Sequence, residues 1–269
     1  MYLNPNWRIL TVGDGDLSFS KAIAEHIKPA TLLASTYDDA NTLVSKYSDN
    51  ALAALRQLHV PTLTEFDVTQ PTSWQRLGEQ QFDVVIFQFP LVPAFVGAAA
   101  FKAHTQSSSM NVLNRALLYQ YLHYASHYAL DKNGPMLCYI TSKDVKPYRE
   151  WNIEGSINQG LTCQYLGQMP FDITHFPGYK IRNVDRDKHV KDTSGITYVF
   201  SEKTHHPLGN TLKKPAYLTD KHCPLCRVGP FMAQEDEHKH MLSKKHNQML
   251  KFEQQWQAWL AQHNDQEQV

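Results

Sequence analysis

The stretch RILTVGDGDLSFS, residues 8–20, decides the architecture. An apolar run, Ile9–Val12, stops at Gly13-Asp14-Gly15-Asp16, and Ser18-Phe19-Ser20 leads into a helical pattern over Leu17–Glu25. A buried strand that feeds a glycine turn and then a helix begins a βαβ unit. The first N–H groups of such a helix lack partners within it and face whatever occupies the turn. Gly13 and Gly15 can take positive φ and let a ligand approach the backbone. In an α/β protein this turn is where an adenine-containing cofactor usually lies.

Outward from that turn the chain alternates between strand and helix patterns. Thr31–Thr36 predicts a second strand that ends at Tyr37-Asp38, and Asn41–Leu58 predicts a helix, with Leu43, Tyr47, Leu52 and Leu55 at helical spacing. Leu63–Phe66 leads to Asp67, and the continuous apolar run Phe82–Phe87 predicts a strand buried on both faces. Asn111–Leu130 predicts a long helix, Met136–Thr141 a strand, Ile153–Gln159 a short helix, and Gly195–Ser201 the last strand. Strands separated by helices imply a mostly parallel sheet with right-handed crossovers. Leu91–Ser109 and Pro170–Thr193 read as irregular substrate loops.

The loop chemistry narrows the cofactor. The third glycine of a dinucleotide turn is missing, which disfavours a nicotinamide oxidoreductase, and Asp14 and Asp16 would repel a pyrophosphate. An acidic turn suits a cationic cofactor, and S-adenosyl-L-methionine carries a sulfonium and an ammonium. Asp38 follows the second strand at the distance where an acid grips ribose hydroxyls. Asp67, after the third strand, is a candidate acceptor for an adenine amino group.

The segments VGDGDLSFS, ASTYDD, FDVVIFQFP, YITSKDVKPYREWNI, PFDITHFPGY and TYVFSE follow in one order across residues 7–202. Together they resemble the eukaryotic 25S ribosomal RNA uridine-N(3) methyltransferases and their relatives. The resemblance implies a Rossmann-like class I methyltransferase fold that uses S-adenosylmethionine, with Gly13, Asp14, Gly15, Asp38 and Asp67 as cofactor contacts. Where that family tends to have Asn-Phe-Pro-His, this chain has Gln88-Phe89-Pro90-Leu91. The change keeps an amide and removes one polar side chain.

The chemistry needs an acceptor in line with an activated methyl group. Uridine N3 must also lose a proton. Lys143 and Asp144, just past the strand Met136–Thr141, are the candidates: Asp144 to take the proton, Lys143 to stabilise charge on the carbonyl oxygens. Phe89 and Tyr148 are candidates to stack on a base splayed out of its helix. Lys180, Arg182, Arg186, Lys188 and Lys191 share one loop and are candidate phosphate contacts, interleaved with Asp185, Asp187 and Asp192.

The C-terminal part has a different character. Formal net charge is +0 over 269 residues, which excludes a globally basic nucleic-acid binder. The segment 202–251 nevertheless carries 9 Lys and Arg against 5 Asp and Glu. Of 4 cysteines, Cys138 and Cys163 sit singly in apolar surroundings, while Cys223 and Cys226 are two residues apart beside His238, His240 and His246. Two thiolates and two imidazoles at this spacing suit tetrahedral zinc. Cys223, Cys226, His240 and His246 are the predicted ligands, with His238 the rival for His240. HMLSKKH resembles the helix of matrin-type zinc fingers, a class linked to RNA, and Lys244 and Lys245 are candidate phosphate contacts.

The expected organisation is a methyltransferase domain over 1–202, a linker over 203–218, a Cys2His2-type zinc finger over 219–251 and a helical tail over 252–269. Phe252, Trp256 and Trp259 are expected to pack back on the enzyme domain. No apolar run approaches the ~20 residues of a membrane span. The N-terminus lacks the pattern of a secretory signal, so a soluble intracellular protein is expected, cytoplasmic, or nucleolar if eukaryotic. The expected partner is large-subunit ribosomal RNA. The rivals are a non-catalytic RNA-binding protein with a degenerate methyltransferase domain and a methyltransferase for a non-RNA substrate.

Overall fold

The structure, a computed structural model, describes residues 1–93, 99, 101, 102, 105, 108–183, 186–189 and 194–264. Parts of both expected substrate loops lie outside the described residues. Seven strands form the main sheet: β1 (Arg8–Val12), β2 (Thr31–Ser35), β3 (Thr62–Leu63), β4 (Val84–Gln88), β5 (Leu137–Ser142), β6 (Gln164–Phe171) and β9 (Gly195–Ser201). A small hairpin of β7 (Arg182–Asn183) and β8 (Arg186–His189) precedes β9. The spatial order is β3-β2-β1-β4-β5-β9-β6. β1 to β5 pair in parallel, and β9 runs antiparallel between β5 and β6. The order reverses between β1 and β4, so a crevice opens there beyond the carboxyl ends of the strands.

The apolar runs occupy the centre of this sheet. Ile9, Leu10 and Val12 of β1 are buried, as is every residue of β4. One face packs under α5 (Met110–Tyr124), which begins at the Ser109 cap and continues as a wider turn to Ala129. The other face packs against α1 (Ser18–Ala22) and the aromatic residues Phe171 and Phe176.

Three expectations change. The predicted helix Asn41–Leu58 is two helices, α2 (Ala40–Lys46) and α3 (Leu52–Gln57). Asn50 accepts from Leu52 N–H at 3.1 Å, and the Ala51 N–H donates to Asp16 O at 2.8 Å. Ser-Asp-Asn favours such local bonds over a continuous helix, and the break lays Tyr47 and Asp49 beside the Gly13–Asp16 turn. The predicted helix Ile153–Gln159 is a set of turns. Asn152 there sits at φ +49 and donates from its amide to Ser156 Oγ at 2.6 Å, while Ile153 and Ile157 are buried. β6 was not legible: Gly167 and Pro170 interrupt its pattern, and both are tolerated because β6 is the outermost strand.

The C-terminal segments dock onto this sheet. In the expected linker, Lys213 bridges Gln168 of β6. The short helix α6 (Gln234–Met241) is followed by α7 (Lys244–Asn264), one continuous helix that crosses the expected boundary between finger and tail. Trp256 and Leu260 of α7 pack against Val112, Ala116 and Tyr119 of α5, with Trp259 at the edge. Trp256 Nε1 donates to Ser156 O at 3.1 Å, and buried Arg115 meets Glu253 at 2.7 Å. Trp256 is fully buried, so Trp256→Ala should cost about 3–5 kcal/mol through lost burial and a cavity. Urea unfolding of the variant checks this; a change below about 1 kcal/mol would mean that α7 is not part of the cooperative core.

Candidate active site and metal centre

The turn after β1 is shaped by close approach. Gly13 sits at φ +60, and a Cβ there would lie 2.4 Å from the Phe87 ring, so no other residue fits. The Asp14 side chain turns inward. Its Oδ2 accepts from the Ser20 N–H at 2.7 Å and the Ser20 hydroxyl at 2.5 Å. Burial, with Asp16 nearby, pushes the Asp14 carboxyl up to about 7. Asp16 Oδ1 accepts from the Ser18 N–H at 3.0 Å, and its Oδ2 accepts from Arg182 Nε at 2.6 Å. Arg182 also pairs with Asp49 and lies 5.5 Å from the centre of the Tyr47 ring.

A cavity of about 690 Å³ opens at the crevice between β1 and β4. All five residues expected to touch the cofactor line it: Gly13, Asp14, Gly15, Asp38 and Asp67. Asp38 sits 3.1 Å from Lys46 Nζ, and Asp67 Oδ1 accepts from the Thr69 N–H at 2.9 Å and its hydroxyl at 2.7 Å. These acids follow three adjacent strands, so the parallel sheet sets their spacing. The second half of the cavity is apolar, walled by Phe87, Phe89, Pro90, Leu91, Leu113 and Leu117. Gln88 also lines it, buried, with no hydrogen-bond partner for Oε1 among the described residues. An acid-lined half beside the turn fits a cationic adenosyl cofactor, and the glycine at 13 makes room for the Phe87 ring and not for a ligand.

Of the predicted catalytic residues, Phe89 lines the cavity. It sits at φ +46, donates its N–H to Thr141 O at 2.8 Å and packs edge-on against Phe171 at 5.5 Å between ring centres. Lys143, Asp144 and Tyr148 are not among the residues that line the cavity. Asp144 is gripped by Arg149 at 2.7 and 2.9 Å and by Arg227 at 3.0 Å, and Tyr148 packs on Trp151 at 5.0 Å.

Two of the basic loop's five candidate phosphate contacts are engaged within the chain. Lys180 pairs with Asp49, and Arg182 is buried against Asp16 and Asp49. Lys191, Asp185 and Asp192 lie outside the described residues, as do the side chains of Arg186, Lys188 and Asp187. Sequence reasoning did not find the Arg182–Asp16 pair, because 166 residues separate the partners. Tyr179 to Arg182 line the cavity, so this loop closes the cofactor half.

The metal centre comes together across the C-terminal segment. One ligand atom from each of Cys223, Cys226, His240 and His246 lies within 4.8 Å of the others, as a tetrahedral ion requires. His240 Nε2 is buried without a hydrogen-bond partner among the described residues, and His246 Nδ1 lies 3.5 and 3.6 Å from the two sulfurs. Burial and the neighbouring Cys223 push the Cys226 thiol up to about 12, so two thiolates need a cation between them. The donor set therefore suits zinc. His238 is exposed and stands outside the group, whereas His240 lies within it. Lys245 is exposed and donates to Cys226 O at 3.0 Å. Among the described residues no helix is long and apolar enough to cross a membrane.

The model of the BMT5-like family, described as rRNA (uridine-N3-)-methyltransferase, matches residues 10–183. The chain belongs to the BMT5-like family. The match covers the whole cavity wall and stops before β9 and the metal centre. The chain is 29% identical over 187 residues to heavy metal-associated isoprenylated plant protein 41 of Arabidopsis thaliana. That match takes in 68% of this chain and 34% of that protein, so the chain spans about a third of that relative's length. It is 25% identical to the uncharacterized protein At4g26485 of Arabidopsis thaliana, over 72% of this chain and 92% of that one. The fold is similar to the ribosomal protein L11 methylase of Lactobacillus delbrueckii subsp. bulgaricus, with a TM-score of 0.38, 13% identity, and coverage of 74% and 71%.

The buried acid of this BMT5-like turn has a measurable signature. The folded Asp14 carboxyl titrates near 7 and an unfolded one near 4. Between those values the folded chain holds a proton that the unfolded chain has released, so this group's contribution to stability falls as pH rises through about 4 to 7. Asp14→Asn, whose amide oxygen can still accept from Ser20, should therefore gain melting temperature relative to the native chain on going from pH 5 to pH 8. An equal difference at both pH values would show that Asp14 is ionised throughout.

Proposed function

We propose that this chain transfers the methyl group of S-adenosylmethionine to N3 of a uridine in large-subunit ribosomal RNA. The observation that carries the reading is the continuity of one cavity from an acid-lined half beside Gly13 to an apolar half beside Phe89. Cofactor and a flat base can meet there with water excluded, which supplies most of what methyl transfer needs. When bound, the cofactor supplies an already activated methyl group on its sulfonium.

The chain's own residues then have three tasks. Asp38 and Asp67 orient the adenosine part: their acceptors suit ribose hydroxyls and an adenine amino group. Phe89 is the stacking face for the base, its ring held by Phe171 and by the close approach of Gly195, where a Cβ would lie 3.0 Å away. That contact also leaves Phe89 little room to rotate, so the base has a fixed platform. Lys143 follows Ser142, whose carbonyl packs on Gly195 beside the same ring. From there its ammonium is proposed to stabilise the charge left on the uracil oxygens when N3 releases its proton to solvent, before the base seats against the cofactor. The zinc-bound finger is proposed to hold the flanking RNA.

Incubating the chain with S-adenosylmethionine and large-subunit ribosomal RNA, then digesting to nucleosides for mass spectrometry, should yield N3-methyluridine. Cofactor binding by calorimetry without any N3-methyluridine would reject the assigned acceptor. Asp38→Ala should weaken cofactor binding by about 10–100-fold, the worth of hydrogen bonds to a charged group. Phe89→Leu should leave that affinity intact and lower kcat/KM for RNA by about tenfold or more, the loss of one stacked base.

A further inference from the structure

Arg227 directly follows the metal ligand Cys226, and its side chain leaves the finger altogether. It enters the enzyme domain, where its Nε and Nη2 hold both carboxylate oxygens of Glu154 at 3.0 and 2.9 Å. Its Nη1 donates to Asp144 at 3.0 Å, and Nη2 also donates to the Tyr198 hydroxyl at 3.1 Å. The Tyr217 ring covers the guanidinium at 5.1 Å. The Arg227 side chain is 8% exposed, and that of Glu154 is fully buried.

The hydrogen-bond partners of Arg227 all belong to structure around β5 and β9. Asp144 and Glu154 bound the segment that leaves β5, and Tyr198 lies on β9. The other end of the segment is held by α7, through Glu253 on Ser156 at 3.0 Å and Trp256 on Ser156 O. Since α7 begins two residues before the ligand His246, both clamps on residues 144–156 start at the metal centre.

We propose that Arg227 is a positioning residue that ties the zinc-loaded finger to the segment 144–156, so that metal loading sets the conformation of that segment and finger and cavity meet RNA as one body. The physical reason is the bond pattern of the knuckle. Cys223 and Val228 exchange backbone bonds at 2.8 and 3.3 Å, and Arg227 between them sits at φ +53. A metal joining Cys223 and Cys226 holds that turn and with it the direction of the Arg227 side chain. Without the tie, the Glu154 carboxylate is left buried and uncompensated, a state that reorganises its surroundings. The consequence for RNA presupposes the methyltransferase reading; the mechanical coupling does not.

Hydrogen exchange on the full-length chain tests the coupling with no RNA or cofactor present. Removing zinc with a chelator and, separately, Arg227→Met should each raise exchange at the amides of Arg149, Glu150 and Ser156 by about tenfold or more. The amides of β1 and β4 should keep their rates, and the variant should still hold one zinc. Rates at 144–156 that stay the same after zinc removal overturn the proposal, as do native rates in Arg227→Met. If that variant does not fold, Glu154→Gln, which keeps the shape and removes the charge, is held to the same outcomes. Kinetics then read the second consequence: Arg227→Met should raise KM for RNA about tenfold while cofactor affinity stays within about twofold. An unchanged KM alongside raised exchange would overturn the one-body consequence. Raised exchange in a chain whose native form methylates no RNA would confirm the coupling and reject the methyltransferase reading.

Discussion

The turn after β1 passes so close to the Phe87 ring that its first residue can have no side chain. The two carboxylates that follow are both used within the chain. Asp14 is spent on Ser20 at the start of α1, and Asp16 on Arg182 from a loop far along the sequence. The turn, the helix behind it and the loop in front of it therefore form one unit, and the cofactor half of the cavity is the space that unit encloses. Asp38 and Asp67 acquire their meaning from it, because β2, ahead of Asp38, is aligned by pairing with β1, and β3, ahead of Asp67, by pairing with β2.

This changes how the acidic character of the turn works. Read as a string, Gly-Asp-Gly-Asp presents two negative charges to a ligand. In the folded chain Asp16 is already neutralised by Arg182, and Asp14 is pushed toward neutrality by burial. The negative charge that the string suggests is largely compensated within the chain. An equivalent conversion happens at Asp144, which has the composition of a proton acceptor and the surroundings of an ion-pair partner.

The C-terminal third follows the same logic at larger scale. A histidine-rich segment with a short metal-binding pattern suggests a module on a tether. Here α7 begins beside the metal centre and ends buried against α5, and Arg227 reaches from the knuckle into the sheet. Ion pairs that are buried gain little stability over apolar contacts, yet breaking one side of them is costly. That asymmetry suits a joint that must hold one geometry.

The elements with a strong apolar period, β1, β2, β4, β5, β9 and α5, were legible because burial leaves its imprint on every turn or alternate residue. Expectation failed where side chains compete with the backbone, at Ser48-Asp49-Asn50 and Asn152–Ser156, and at β6, whose edge position tolerates a glycine and a proline. The sequence by itself determined the fold class and pointed to the turn after β1, to the acids that follow the next two strands and to a Cys/His group that the fold draws together, since each depends on residue type at short spacing. Only the tertiary structure decided that Arg182 closes the turn, that Asp144 and Glu154 receive Arg227, and that finger and sheet are joined. Those contacts link residues tens to more than a hundred positions apart, and nothing in local spacing records which distant charge a buried carboxylate will need.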